Sequence, residues 1–363
     1  MGAITRGIAN NILGNGAVDG TDALTGTIPA TNIGNPSLAN LTTFPPSVDA
    51  GIPQVAGDPP APSEGDVWYN TNTYKLRVRG LAAGTWASGN SMNTATRGGG
   101  SNGTETSVIA VGGGPPDLGK TELYDGTSWT EVNDLNQARR GTGVGAADST
   151  SALAYGGEQS PSAWYAITES WNGTSWTEVN DLNAGRVSVI GAGIATSALA
   201  IGGVASPPKT TVNESWNGTS WTEVGDLNTG KYGTGRAVGS NNTDALAVGN
   251  DAAGSQTETW NGTSWTEVND FNNGRSSTGI GGTTSSALLF GGYGAPVALT
   301  NTEEWNGTSW TEVNDLNAGV AYQFSGGSGT SAAVSAGGYT GTANTVNTED
   351  WSKSVGNLNV DLA

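Results

Sequence analysis

SWTEVNDLN occupies residues 128–136 and recurs letter for letter at residues 175–183, with near-copies around Trp221, Trp265 and Trp310. Counted from Trp129, the Trp residues that open these copies are 47, 45, 44 and 45 positions apart. A period in the mid-forties is the length of one four-stranded β unit that packs beside others of its kind. One copy displays the parts: a small-residue stretch after Arg186, then SALAIGG at 197–203, NESW at 213–216 and SWTEV at 220–224. Asn217-Gly218-Thr219 separates the last two, and an Asn-Gly step is expected to supply the positive φ that a tight hairpin demands. The same step recurs at 172, 261 and 306. These copies also fit the N-glycosylation sequon, but their fixed place between two Trp-bearing strands reads as a turn.

Equal numbers of every strand are needed if such units are to form a complete array. Gly pairs that end the second strand stand at 113, 156, 202, 291 and 337, with Gly249-Asn250 in the remaining copy. Third-strand aromatics are Tyr124, Trp171, Trp216, Trp260, Trp305 and Trp351, and the last of these has no SWTEV strand after it. Gly84-Thr85-Trp86-Ala87-Ser88 lies 43 residues before Trp129 and matches the missing strand. The expectation is six units, the sixth completed by this N-terminal strand, which would leave no unpaired terminal edge; the rival count is five complete units with a frayed sixth.

The Gly doublet, the later aromatic and the Trp five residues beyond it resemble kelch repeats over about residues 84–353. The resemblance implies an all-β, six-bladed propeller with each first strand innermost. It implies no single activity, since kelch-like propellers include an oxidase, adaptor subunits and binding proteins. The copper oxidase members depend on Cys, His and Tyr, and this chain has no Cys and no His. Thiol nucleophiles, imidazole bases and the usual zinc or copper ligands are thereby excluded. No catalytic residue, cofactor or metal site is expected.

The formal charge is −18, with about −16 of it beyond residue 90, so nucleic acid is not an expected partner. No stretch has the ~18 consecutive apolar residues of a membrane span, and residues 1–13 lack the apolar run of a secretion signal.

Residues 1–65 differ in kind, being rich in Gly, Asn, Thr and Pro and free of Trp, yet Leu24, Ile28, Ile33, Leu38, Leu41 and Phe44 recur every three to five positions. This reads as an extended arm ordered against partner subunits, followed by a β-hairpin at 66–83 and the propeller at 84–363. GDVWYNTNTYKLRVR with a following G-x-W is similar to a module of tail-fibre and other virion proteins of tailed bacteriophages, and LTGTIPATNIGNPSLANLTTFP resembles their repetitive N-terminal arms. That likeness implies a virion location, an arm that contacts other virion proteins, and a homo-oligomer, with a trimer favoured.

A Glu precedes each third-strand aromatic (Glu122, Glu169, Glu214, Glu258, Glu303, Glu349), while Arg139, Arg186, Lys231 and Arg275 each lie ten residues after an outer Trp and Val320 takes that place in another copy. Such repetition reads as scaffolding through charge-assisted hydrogen bonds. What varies is the loop between second and third strands, and variable loops on a rigid scaffold are where binding residues sit. The candidate contacts are Trp164, Tyr165, Tyr293, Tyr339, Pro207 and Pro208. The expected function is a phage tail fibre or appendage that recognises a host surface glycan or protein. A structural subunit decorating the capsid or tail is the alternative, and a polysaccharide depolymerase the third reading.

Overall fold

The computed structural model describes residues 52–160, 163–205, 210–231, 236–249 and 254–360, and these form two compact units, Thr85–Ser352 and a smaller one built from the two chain ends. Among the described residues there is no helix, and so none long and apolar enough to cross a membrane.

Among the described residues, six four-stranded antiparallel sheets and two short two-stranded ones make up the larger unit. Sheets 1 to 5 each use one continuous stretch, at residues 100–131, 143–179, 190–224, 236–268 and 279–312. Sheet 6 joins Phe324–Gly329, Ala332–Ala336 and Thr348–Ser352 to Thr85–Gly89 from far upstream, with Trp86 directly opposite Trp351. Each second strand is a buried apolar run, such as Ser197–Ile201, rather than an alternating one. The cause is coverage on both faces: Leu199 and Ile201 of sheet 3 pack on Ala245, Ala247 and Trp260 of sheet 4, and Val108 and Ala110 of sheet 1 pack on Phe324 and Val334 of sheet 6. The core therefore lies between successive sheets.

The hairpin between the two Trp strands uses Asn differently from the expectation. Trp171 stands opposite Trp176, and Asn172 keeps an ordinary backbone while its Oδ1 accepts from the amides of Thr174 and Ser175, both at 2.9 Å. Only Gly173, at φ 90°, takes the left-handed conformation. Asn serves as an Asx-turn acceptor here, a role that Asp125 fills in sheet 1.

Two repeated devices tie each sheet to the next. Outer-strand indoles reach back one sheet: Trp176 Nε1 donates to Thr121 Oγ1 at 3.0 Å, Trp221 to Thr168 at 3.0 Å, Trp310 to Thr257 at 3.3 Å, Trp86 to Thr302 at 3.1 Å and Trp129 to Thr348 at 3.0 Å. In the sixth instance Asn213 replaces Thr, and both Trp265 Nε1 and Asn213 Oδ1 are buried without a partner. Restoring one hydrogen bond and relieving a buried unpaired donor gains about 1 kcal/mol. Asn213→Thr should accordingly raise the midpoint of chemical denaturation, and an unchanged or lower midpoint would show that Asn213 Nδ2, which donates to Gly225 O at 2.8 Å, matters more.

The second device explains the Glu and basic repeat. Before sheet 3, Asn183 and Arg186 both grip Glu214 of that sheet: Asn183 N and Nδ2 donate to Oε2 at 2.8 and 2.6 Å, and Arg186 Nη2 donates to Oε1 at 2.8 Å. Arg186 O meanwhile accepts from Gly157 N of sheet 2 at 2.9 Å, so one residue fastens two sheets. Arg139 with Glu169, Lys231 with Glu258 and Arg275 with Glu303 repeat the pairing. The first residue of the Gly doublet is there for this approach: in the next copy, where Gly203 N donates to Lys231 O, a Cβ on Gly202 would fall 2.2 Å from that oxygen. Glu349 and Glu122 keep the Asn partner, Asn317 and Asn93, but face Val320 and Thr96 at the basic position.

In the smaller unit, Val67–Asn70 and Lys75–Leu81 pair antiparallel. Two boundaries differ from the sequence reading. Gln54–Val55, assigned to the arm, pairs in parallel with Tyr69 and Asn70, and Val355–Val360, assigned to the propeller, pairs with Lys75–Leu81. Asp58 explains both: it accepts from Trp68 Nε1, Asn70 Nδ2, Arg77 Nη1 and Asn357 Nδ2 within 3.2 Å, which draws strands from both chain ends into one sheet. Those hydrogen bonds, led by Asn357, hold its carboxyl below the usual range. Of the arm, residues 1–51 lie outside the described residues.

Candidate functional site

The connectors between sheets and the residue after each Gly doublet meet at one end of the larger unit. Isolated β-bridges join Arg97 to Gly114, Arg140 to Glu158, Val187 to Val204, Ser276 to Tyr293 and Ala321 to Tyr339. The residue after each connector position is left-handed: Gly98, Gly141, Ser188, Ser277 and Tyr322 have φ between 56° and 67°. The backbone thus repeats while the side chains do not. Each sheet offers three positions at the same mouth, and the matching positions of sheet 4 lie outside the described residues.

Most of these positions line a cavity of about 550 Å³. On the sector from sheets 5, 6 and 1, Tyr293, Tyr322, Tyr339 and Arg97 come together. The Arg97 guanidinium lies 4.0 Å from the Tyr339 ring centre and 6.0 Å from that of Tyr322, and the Tyr293 and Tyr322 rings are 6.4 Å apart. Tyr322 holds a left-handed backbone where other copies carry Gly or Ser, which costs on the order of 1 kcal/mol and points to a use for its side chain. On the sheet 2 sector, Arg140 Nε donates to Glu158 Oε1 at 2.9 Å, so the only carboxylate among the described lining residues is already paired. Such a wall can stack on the flat face of a ring and donate charge-assisted hydrogen bonds.

No family model matches the chain, and no curated protein matches it. Among solved structures it is similar to YjhT, a kelch-like β-propeller protein, with a TM-score of 0.59 at 12% identity, over 71% of this chain and 95% of that one. The fold is a β-propeller. Its blades are sheets of the larger unit, and the mouth lies where the connectors lead into the first strands.

The propeller separates the residues singled out from the sequence. Tyr293 and Tyr339 line the funnel. Trp164 and Tyr165 instead belong to the side hairpin Glu158–Gln159 with Ala163–Trp164 on blade 2. Tyr165 is engaged there: its hydroxyl donates to Gln159 Oε1 at 2.8 Å and accepts from Gln137 Nε2 at 3.3 Å, which ties the hairpin to the preceding connector. Trp164 is 37% exposed. Pro207 and Pro208 lie outside the described residues. Sequence reasoning missed Arg97, Arg140, Tyr322 and Arg236. Aligning the copies on the outer Trp brings the first three to the eleventh and twelfth positions after it, where the residue type changes from copy to copy.

Proposed function

We propose that this chain is a subunit of a tailed-phage virion appendage that binds a host surface ligand, without catalysing a reaction, in the funnel of a six-bladed propeller closed by Thr85–Gly89. The observation that carries the binding reading is the gathering of Tyr293, Tyr322, Tyr339 and Arg97 around one cavity, at positions whose residue type changes from copy to copy. Closure is supported by the Trp86 to Trp351 register and by Ser101 Oγ, which donates to Ser325 O at 3.0 Å and so links blade 1 to blade 6. Virion membership rests on the GDVWYNTNTYKLRVR module and on the likeness of the arm. In this reading residues 1–65 attach to other virion proteins and favour a trimer.

The test is retention of the full chain by immobilised surface polysaccharide from cells to which the phage adsorbs. Retention without shortening of the glycan is expected. Tyr339→Ala removes a funnel wall and the platform under Arg97, and a hot-spot loss of about 2 kcal/mol corresponds to roughly thirtyfold weaker retention. Trp164→Ala, outside the funnel, should leave retention within about twofold. Shortened glycan chains would make the protein a depolymerase, and no retention would favour the decorating subunit.

A further inference from the structure

Buried cations in this acidic chain come with carboxylates: Arg139, Arg186, Lys231 and Arg275 are each paired with a Glu. Arg236, half-buried at the cavity wall, breaks the pattern. It opens the first strand of blade 4, in register with Val248, where the equivalent residues of the other blades are Gly100, Gly143, Ile190, Gly279 and Phe324. Five blades thus carry small or apolar residues at this position, and one carries a guanidinium.

Arg236 lines both the funnel and a second cavity of about 340 Å³ deeper in the channel, walled largely by first-strand residues such as Ser101, Gly281 and Gly326. Its Nε donates to Thr278 O at 2.8 Å and its Nη2 to Gln323 O at 3.2 Å. Two neutral carbonyls from blades 5 and 6 fix the plane of the fork but leave its charge uncompensated. Among the described residues no carboxylate pairs with it. Desolvation pushes its pKa down to about 10, so it remains a cation at neutral pH. A merely structural brace needs no charge on the axis, and the same bonds from an uncharged amide would cost less to bury.

We propose that Arg236 is an oxyanion receptor at the floor of the funnel, taking a carboxylate or sulfate group of the bound ligand on the edge of its guanidinium that the two carbonyls leave open. The inference rests on the reading of the funnel as a ligand site and narrows that ligand to an acidic one. A planar fork held by two acceptors is preorganised for bidentate contact with an oxyanion, and Arg97 at the mouth supplies a second cation on the way in.

The experiment follows the Arg Nε–H resonances of the isotopically labelled full chain by NMR during titration with sodium glucuronate, sodium sulfate and, as comparisons, glucose and sodium chloride at matched ionic strength. Glucuronate or sulfate should shift the Arg236 signal saturably, with glucose and chloride leaving it in place. Arg236→Gln should weaken that binding at least tenfold, measured by calorimetry, while Arg236→Lys retains part of it. If Arg236→Gln does not fold, the wild-type titration alone decides. An Arg236 signal that responds no more to glucuronate and sulfate than to chloride overturns the proposal. Retention of neutral polysaccharide in the funnel, unaffected by Arg236→Gln, would leave the binding function standing and remove the anion site. A saturable shift at Arg236 with no retention of any surface polysaccharide would do the reverse.

Discussion

Arg275→Met should destabilise the larger unit by about 3–5 kcal/mol, the cost of leaving one member of a buried ion pair without the other. Arg275 Nη1 donates to Glu303 Oε1 at 2.7 Å, and neither side chain is solvent-exposed. The guanidinium also donates to the carbonyls of Gly291, Asn273, Leu289 and Asn301, so truncation orphans acceptors as well as a charge. The pH response identifies the charge. Burial alone would raise the Glu303 pKa, but the hydrogen bonds from Arg275 and Asn272 outweigh it and hold the carboxyl below its ordinary 4.5. A depressed carboxylate contributes stability that is present above the unfolded value and lost as pH falls through the folded one. Without Arg275 the burial effect prevails, Glu303 takes up a proton more readily, and the gap between wild type and variant should narrow below about pH 4.5. Denaturation midpoints at pH 7 and pH 4 check this. A gap that is the same at both would assign the loss to packing, and Arg275→Met with Glu303→Leu should recover much of it at pH 7.

The repeat itself was legible because its devices are written in residues that do one job each. Trp129, Trp176 and their equivalents, the Gly doublets and the Glu before each third-strand aromatic recur at fixed spacing because every blade needs the same contacts to the next. The direction of those contacts was not legible. Nothing in the spacing says that Arg186 reaches forward to Glu214 with its side chain and backward to Gly157 with its carbonyl. Nor does it say that Asn172 caps its turn through Oδ1. The ends of the chain were harder still. Val355–Val360 reads in sequence as part of the propeller and becomes a strand of the smaller unit because Asp58 and Lys75–Leu81 give it an edge.

The candidate site was half legible. Tyr293 and Tyr339 stand out as aromatics in variable loops, whereas Trp164 and Tyr165 stand out equally and belong to a side hairpin. Sequence variability marks every loop, but only the residue that follows the Gly doublet is bridged to a connector and turned toward the axis. Arg236 was invisible for a different reason: an Arg at the start of a short strand reads as a solvated edge residue until the strand is known to line a channel.

Trp86→Ala should cost about 3–5 kcal/mol, as removal of a core Trp does, even though the residue precedes the repeats in sequence. Trp86 is 7% exposed. Its ring meets Phe290 edge-on at 4.9 Å and Trp351 at 5.4 Å, its Nε1 donates to Thr302 Oγ1, and its carbonyl accepts from Asn317 Nδ2 at 3.2 Å. Those partners belong to blades 5 and 6 and to the connector between them, the far end of the chain. If Thr85–Gly89 closes the ring, losing the strand opens blade 6 on its outer side and leaves the Asp350 and Trp351 strand as an exposed edge. Deletion through Gly89 should then lower the melting temperature of the larger unit more than Trp86→Ala does, with new dye-binding apolar surface, while deletion through Gly51 leaves it unchanged. Because the longer deletion also removes the smaller unit, Trp68→Ala serves as the control. Trp68 is buried beside Asp58 and in no propeller blade, so this variant should disturb the smaller unit and leave the propeller transition in place. A Trp68→Ala loss equal to that of Trp86→Ala in the propeller transition would mean that the upstream residues act as one stabilising block, and the closing strand would lose its special role.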